Sequence, residues 1–157
     1  MPFSLKFLTP LLLAAGLSAF LLPPARAQAP VPETMPKADA RLYRAFGEKP
    51  GLQRLMDDFM VRLLADARTA PHFKDSDIQR VKEQLVEQFC DVSGGPCTYR
   101  GADMRSAHAN LDIRKADFNA LVELLQVAMS AQGIAFVHQN RLLALLAPMH
   151  RDIINTR

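Results

Sequence analysis

GGPCTYRGADMRSAHANLDI, running from Gly94 to Ile113, is the stretch on which the reading of this chain turns. Three glycines and a proline between Gly94 and Gly101 break an otherwise helical apolar pattern. The short helix expected after them carries few large apolar groups. It is expected to put Met104 and Leu111 about one turn either side of His108 on one face, with Arg105 close by. So weak an element is easier to understand if something other than protein packs on it. One histidine between apolar neighbours, with Arg105 and Tyr99 in reach of acidic groups, suits a single axial bond to a flat, apolar, doubly anionic cofactor.

Working outward, the apolar spacing is helical from Ala38 onward and no stretch alternates with period two. Leu52, Leu55, Met56, Phe59, Leu63 and Leu64 form one stripe, preceded by Pro50-Gly51. Ile78, Val81, Leu85, Phe89 and Val92 form a second, opened by Ser76 with Gln79 three residues on, a capping-box pattern. Phe118, Leu121, Val122, Leu125 and Met129 form a third that stops at Gly133. Leu142, Leu145, Leu146, Met149 and Ile153 form a fourth, with a bend expected at Pro148. A shorter element spans Leu42 to Phe46. The fold class is all-α, and four such stripes are compatible with an ordinary bundle.

The first 27 residues have the layout of a secretory signal: Lys6, an apolar run from Phe7 to Leu22, and Ala25-Arg26-Ala27 as a cleavage site. Residues 28–37, with Pro30, Pro32 and Pro36, read as an extended linker, and 38–157 as one domain. The expected location is outside the cytoplasm, in a periplasm-like compartment. An uncleaved N-terminal anchor is the alternative to release; once the signal is cleaved no stable membrane insertion is expected. Removing Lys6 and Arg26 takes 19 basic residues to 17, against 16 acidic. A charge near zero gives no electrostatic reason for a nucleic-acid or anionic-lipid partner.

Cys90 and Cys97 are the only cysteines, and in an oxidising compartment they are expected to pair across Gly94-Gly95-Pro96. Two free buried thiols are the alternative, and a zinc site lacks a pair of histidines at ligand spacing beside them. His72, His138 and His150 read as surface or hydrogen-bonded histidines.

The motifs also agree with a known family. LYRAFGEKPGL, DDFMVRLLADARTAPHF, GGP followed by YRG, MRSAH and LLALLAPMHRDI keep, in order, the pattern of the group I truncated haemoglobins, which this chain resembles from about Leu42 to Ile153. The resemblance implies a two-over-two helical sandwich around non-covalent haem b, with His108 as proximal iron ligand and Phe73 stacked on the ring. Phe59, Met60, Val81, Leu85, Tyr99, Met104, Arg105, Ile113 and Phe118 are the further cofactor contacts it implies. Without a C-x-x-C-H motif, covalent c-type attachment is not expected.

The departures from that family bear on function. Met60 stands where group I members usually carry a tyrosine, and Leu85 where a polar residue, often glutamine, commonly faces the ligand; Val81 is apolar too. Dioxygen gains partial negative charge at such an iron and is held by hydrogen-bond donors, so a pocket lacking them disfavours stable oxygen carriage. Gln84 and Gln88 are expected to face solvent. Met60 is read as a space-filling thioether, with a sixth iron ligand as its second reading. The leading expectation is a haem protein binding diatomic gases (O2, NO, CO), with nitric-oxide or peroxide chemistry and an unidentified reductant as possible additions. The alternatives are an electron-transfer or redox-sensing haem protein with His/Met ligation, and a haem-free helical interaction domain in which His108 is structural.

Overall fold

The computed structural model describes residues 39–156; the signal, the linker and the domain boundary expected at residue 38 lie outside the described residues. Among the described residues seven helices follow one another: α1 Ala40–Ala45, α2 Glu48–Ala65, α3 Ile78–Val92, α4 Met104–Ala107, α5 Lys115–Ala131, α6 Phe136–Leu146 and α7 His150–Ile153. Two 3₁₀ turns, Ala70–Phe73 and Ala147–Met149, complete them, and no strand occurs among the described residues. The architecture is the two-over-two helical sandwich, with α2 packed on α3 and α5, and α6 packed on α1, α3 and α5. No described helix is long and apolar enough to cross a membrane.

α2 is the central element because its apolar stripe is buried along the whole helix. Leu52, Leu55, Met56, Phe59, Met60 and Leu63 all lie in the core, joined there by Val86, Phe89 and Val92 of α3, Leu125 and Met129 of α5, and Leu142 of α6. A fully buried Leu or Phe contributes roughly 1.5 to 3 kcal/mol by removing apolar surface from water. This stripe is therefore the main source of stability.

Local chemistry explains the boundaries, including three that differ from the sequence expectation. α2 starts at Glu48, not after Pro50-Gly51: Pro50 falls in the first turn, where its missing N–H costs nothing. Gly51 is then inside the helix because α1's end crosses tightly there, and a Cβ at this position would run into the Phe46 carbonyl. α3 is capped by Asp77, whose carboxylate accepts from Arg80 N–H at 3.1 Å, one residue later than the Ser76 capping box expected. α4 ends at Ala107 with His108 as its C-cap, so Leu111 lies in the following turn and not on the helical face with His108. α5 stops as expected, with Gly133 at φ 71° just past its C-cap. Pro148 sits in the 3₁₀ turn that separates α6 from α7.

Candidate functional site

Between α3, the segment from Tyr99 to Ile113, and α5 lies a cavity of about 540 Å³, and a second of about 590 Å³ shares much of its lining and extends inward. Both are of the size of small-molecule and cofactor sites. Phe73, Val81, Leu85, Gln88, Met104, His108, Phe118, Leu121 and Ile153 line both, so the two are one space. The inner part reaches Phe59 and Leu63 of α2 and opens between α5 and α6 at Val122, Leu143 and Leu146.

His108 enters this space at the end of α4. Asp103 caps that helix through Ser106 N–H at 2.8 Å. His108 Nδ1 is 2.7 Å from the Met104 carbonyl oxygen. A carbonyl only accepts, so Nδ1 carries the proton and Nε2 keeps its lone pair, on a ring that lines both cavities. That is the tautomer of a histidine prepared to bind a metal, its orientation held by a backbone carbonyl.

The other expected residues divide. Phe73, Val81, Leu85, Met104 and Phe118 line both cavities; Tyr99 and Ile113 line the outer one and Phe59 the inner one. Met60 does not: it is 3 % exposed, packed in the core, and lines neither cavity. Arg105 is also outside the lining, its guanidinium paired with Asp152 on the surface. The Tyr99 hydroxyl donates to the Ala102 carbonyl at 2.9 Å, so its proton is already committed. Burial, then the nearby Asp103 carboxylate, hold that phenol above its ordinary pKa.

Five residues at the site, Arg80, Arg100, His72, Asp117 and Gln88, stand outside the contacts expected from the sequence. Arg80 and Arg100 line the outer cavity from opposite segments, and neither guanidinium forms an ion pair among the described residues. His72 closes one side of the mouth: its Nδ1 is 3.1 Å from the Leu111 carbonyl and its Nε2 3.7 Å from Asp117. Asp117 is itself buried against Arg114, whose side chain and N–H hold the carboxyl below its usual pKa. Gln88, expected in solvent, is only 5 % exposed. Its Nε2 has two weak acceptors, the sulfurs of Met104 and Met149, each at 3.5 Å. The lining shared by both cavities is thus apolar but for Gln88 and His108, while the outer cavity adds a second amide, Gln84, and the charged groups at its mouth.

This set of residues fits a haem: a single presented imidazole nitrogen, apolar walls above a short helix, and two uncommitted cations at an open mouth. The chain's comparison with known proteins agrees. Residues 41–155 match the family model for bacterial-like globins. The group 1 truncated hemoglobin GlbN of Mycolicibacterium paratuberculosis is 30 % identical over 114 residues, 73 % of this chain and 84 % of that protein. The chain belongs to the group 1 truncated haemoglobins. GlbN of Nostoc sp. is 27 % identical over 73 % of this chain and 97 % of its own length. The crystal structure of truncated hemoglobin from Tetrahymena pyriformis in the Fe(III) form superposes with a TM-score of 0.70 at 23 % identity, covering 73 % of this chain and 98 % of that one. At that identity the likeness supports the fold alone. As a truncated haemoglobin the chain is a haem b protein that binds diatomic gas.

Proposed function

We propose that His108 is the iron ligand of an exported truncated haemoglobin whose pocket favours weakly polar diatomics, nitric oxide and carbon monoxide, over long retention of dioxygen. The observation that carries this reading is the His108 ring, its Nδ1–H donated to the Met104 carbonyl, bordering a mainly apolar cavity. Haem supplies an iron with a coordination position for the gas; the protein's residues supply everything else. Val81, Leu85 and Phe73 keep water away, and Arg80 and Arg100 at the mouth match the two carboxylates of the cofactor. Export is supported by the signal-like N-terminus and by the Cys90–Cys97 disulfide, with Cα atoms 5.7 Å apart. In that compartment a separate reductant would be needed to keep the iron ferrous. His/Met ligation draws no support from Met60, buried away from both cavities.

The test is to add hemin to purified protein and follow the Soret band, then gas release after reduction. Wild type should bind one equivalent, and His108→Ala should lose it while remaining helical. Arg80→Ala combined with Arg100→Ala should weaken binding without moving the band. An unchanged spectrum in His108→Ala would refute the ligand assignment, and slow dioxygen release would refute the pocket argument and point to Gln88.

A further inference from the structure

α4 has four residues, too few to persist through its own hydrogen bonds. The turn after His108 is harder still to hold. Asn110 at φ 62° and Asp112 at φ 51° both lie in the left-handed region. Backbone of this kind stays formed only where its surroundings over-determine it.

The restraint comes from the far end of the chain. Asn155 Nδ2 donates to the His108 carbonyl at 2.7 Å, and Oδ1 of the same amide accepts from Ile113 N–H at 2.7 Å. One side chain therefore ties both ends of the strained turn. The Ile113 carbonyl in turn accepts from the N–H groups of Asn155 and Thr156, each at 3.2 Å, and from the Thr156 hydroxyl at 3.0 Å. Of these groups only the Asn155 amide reaches His108 itself. An asparagine suits the place because both a donor and an acceptor are needed on one planar group.

We propose that Asn155 is the positioning residue for the His108 imidazole. It fixes the residue's backbone from the C-terminal side while the Met104 carbonyl fixes the ring from within α4. The proposal rests on His108 being the iron ligand. Without the amide, the His108 carbonyl keeps only the long bond from Leu111 N–H at 3.4 Å, made within the turn itself, and the imidazole loses its one side-chain restraint from outside that segment.

The experiment is resonance Raman spectroscopy of the haem-loaded, ferrous, gas-free protein, reading the iron–imidazole stretching band, together with the rate of hemin transfer to apomyoglobin. Asn155→Ala should shift and broaden the band and speed hemin loss by roughly five-fold, the scale of one lost hydrogen bond. Asn155→Asp keeps the acceptor for Ile113 but not the donor to His108, so it should shift the band as well; it carries the test if the alanine variant does not accumulate. Asp152→Ala removes only the exposed pair with Arg105 and should leave the band in place. A band of wild-type position and width in Asn155→Ala, even with lowered thermal stability, would reduce Asn155 to a structural residue and overturn the proposal. A band that survives in His108→Ala would overturn the ligand assignment itself, and the proposal with it.

Discussion

α2 and the segment from Gly94 to Arg114 are held in opposite ways. α2 has 18 residues and a continuous buried stripe, so its place follows from apolar burial against three neighbouring helices. The later segment has one four-residue helix with no buried residue in it. It is placed instead by separate polar and covalent ties: the Cys90–Cys97 disulfide, Asp91 accepting from Tyr99 N–H at 3.0 Å, the Asp103 cap, and Asn155 across the turn after His108. Burial is insensitive to small shifts and makes a robust scaffold. Directional ties set the position of one side chain and leave open the space beside it.

That contrast predicts a graded set of responses. The largest is expected in the scaffold: Phe59→Ala should cost about 3 to 5 kcal/mol in denaturant unfolding, with or without haem, since a buried ring leaves a cavity that α2 cannot close. A loss under about 1 kcal/mol would mean that α2 is not the central element.

Reducing the disulfide, or replacing Cys90 and Cys97 by serine, should come next. Closure of so short a loop is worth about 2.5 kcal/mol by chain entropy. The effect should be concentrated in the segment it ties, so hydrogen exchange should rise between residues 97 and 113 before it rises in α2. Uniform acceleration would erase the distinction between the two regions.

Gln88→Leu should be nearly neutral for stability, within about 1 kcal/mol, because the amide gives up only thioether partners while the lining shared by both cavities gains an apolar side chain. The same variant separates two roles in the loaded protein. Faster dioxygen release would make Gln88 a donor to the gas, and an unchanged rate would leave Gln84, on the outer cavity, as the amide to test next.

The smallest effect concerns Asp117. Its carboxyl is held below the usual value by Arg114, so the stability it contributes is fully present above the unfolded pKa, near about 4, and is lost as pH falls through the folded value. Asp117→Asn should therefore lie slightly below wild type in thermal stability at pH 6, and the gap should narrow steadily as the pH is lowered below the ordinary carboxylate range. A gap that stays constant into acid would show that the contact is not one of charge.

The register of α3 explains where reading the residues succeeded and where it erred. Val81 and Leu85 are pocket residues by family resemblance, and both line the cavities. Gln88 continues their helical stripe at i+7 from Val81 and i+3 from Leu85, yet its polarity suggested solvent. Position on the helix decided, because a side chain goes where its Cα–Cβ bond points unless the cost of burial is prohibitive. Met60 failed for the converse reason: it is as apolar as its neighbours on α2, and nothing in its spacing distinguishes core from cavity wall.

By itself the sequence determined the helices, their buried faces, the place of His108 after a glycine-rich break, and the family to which that pattern belongs. These are local properties, set by periodicity, capping and turn chemistry within a few residues. Only the tertiary structure decided which cations face the mouth, that Arg105 is occupied elsewhere, and that Asn155 reaches across 47 positions to the His108 carbonyl. Hydrogen bonds and ion pairs have a range of a few ångströms and no sequence period, so partners far apart in the chain become visible only once the helices have packed.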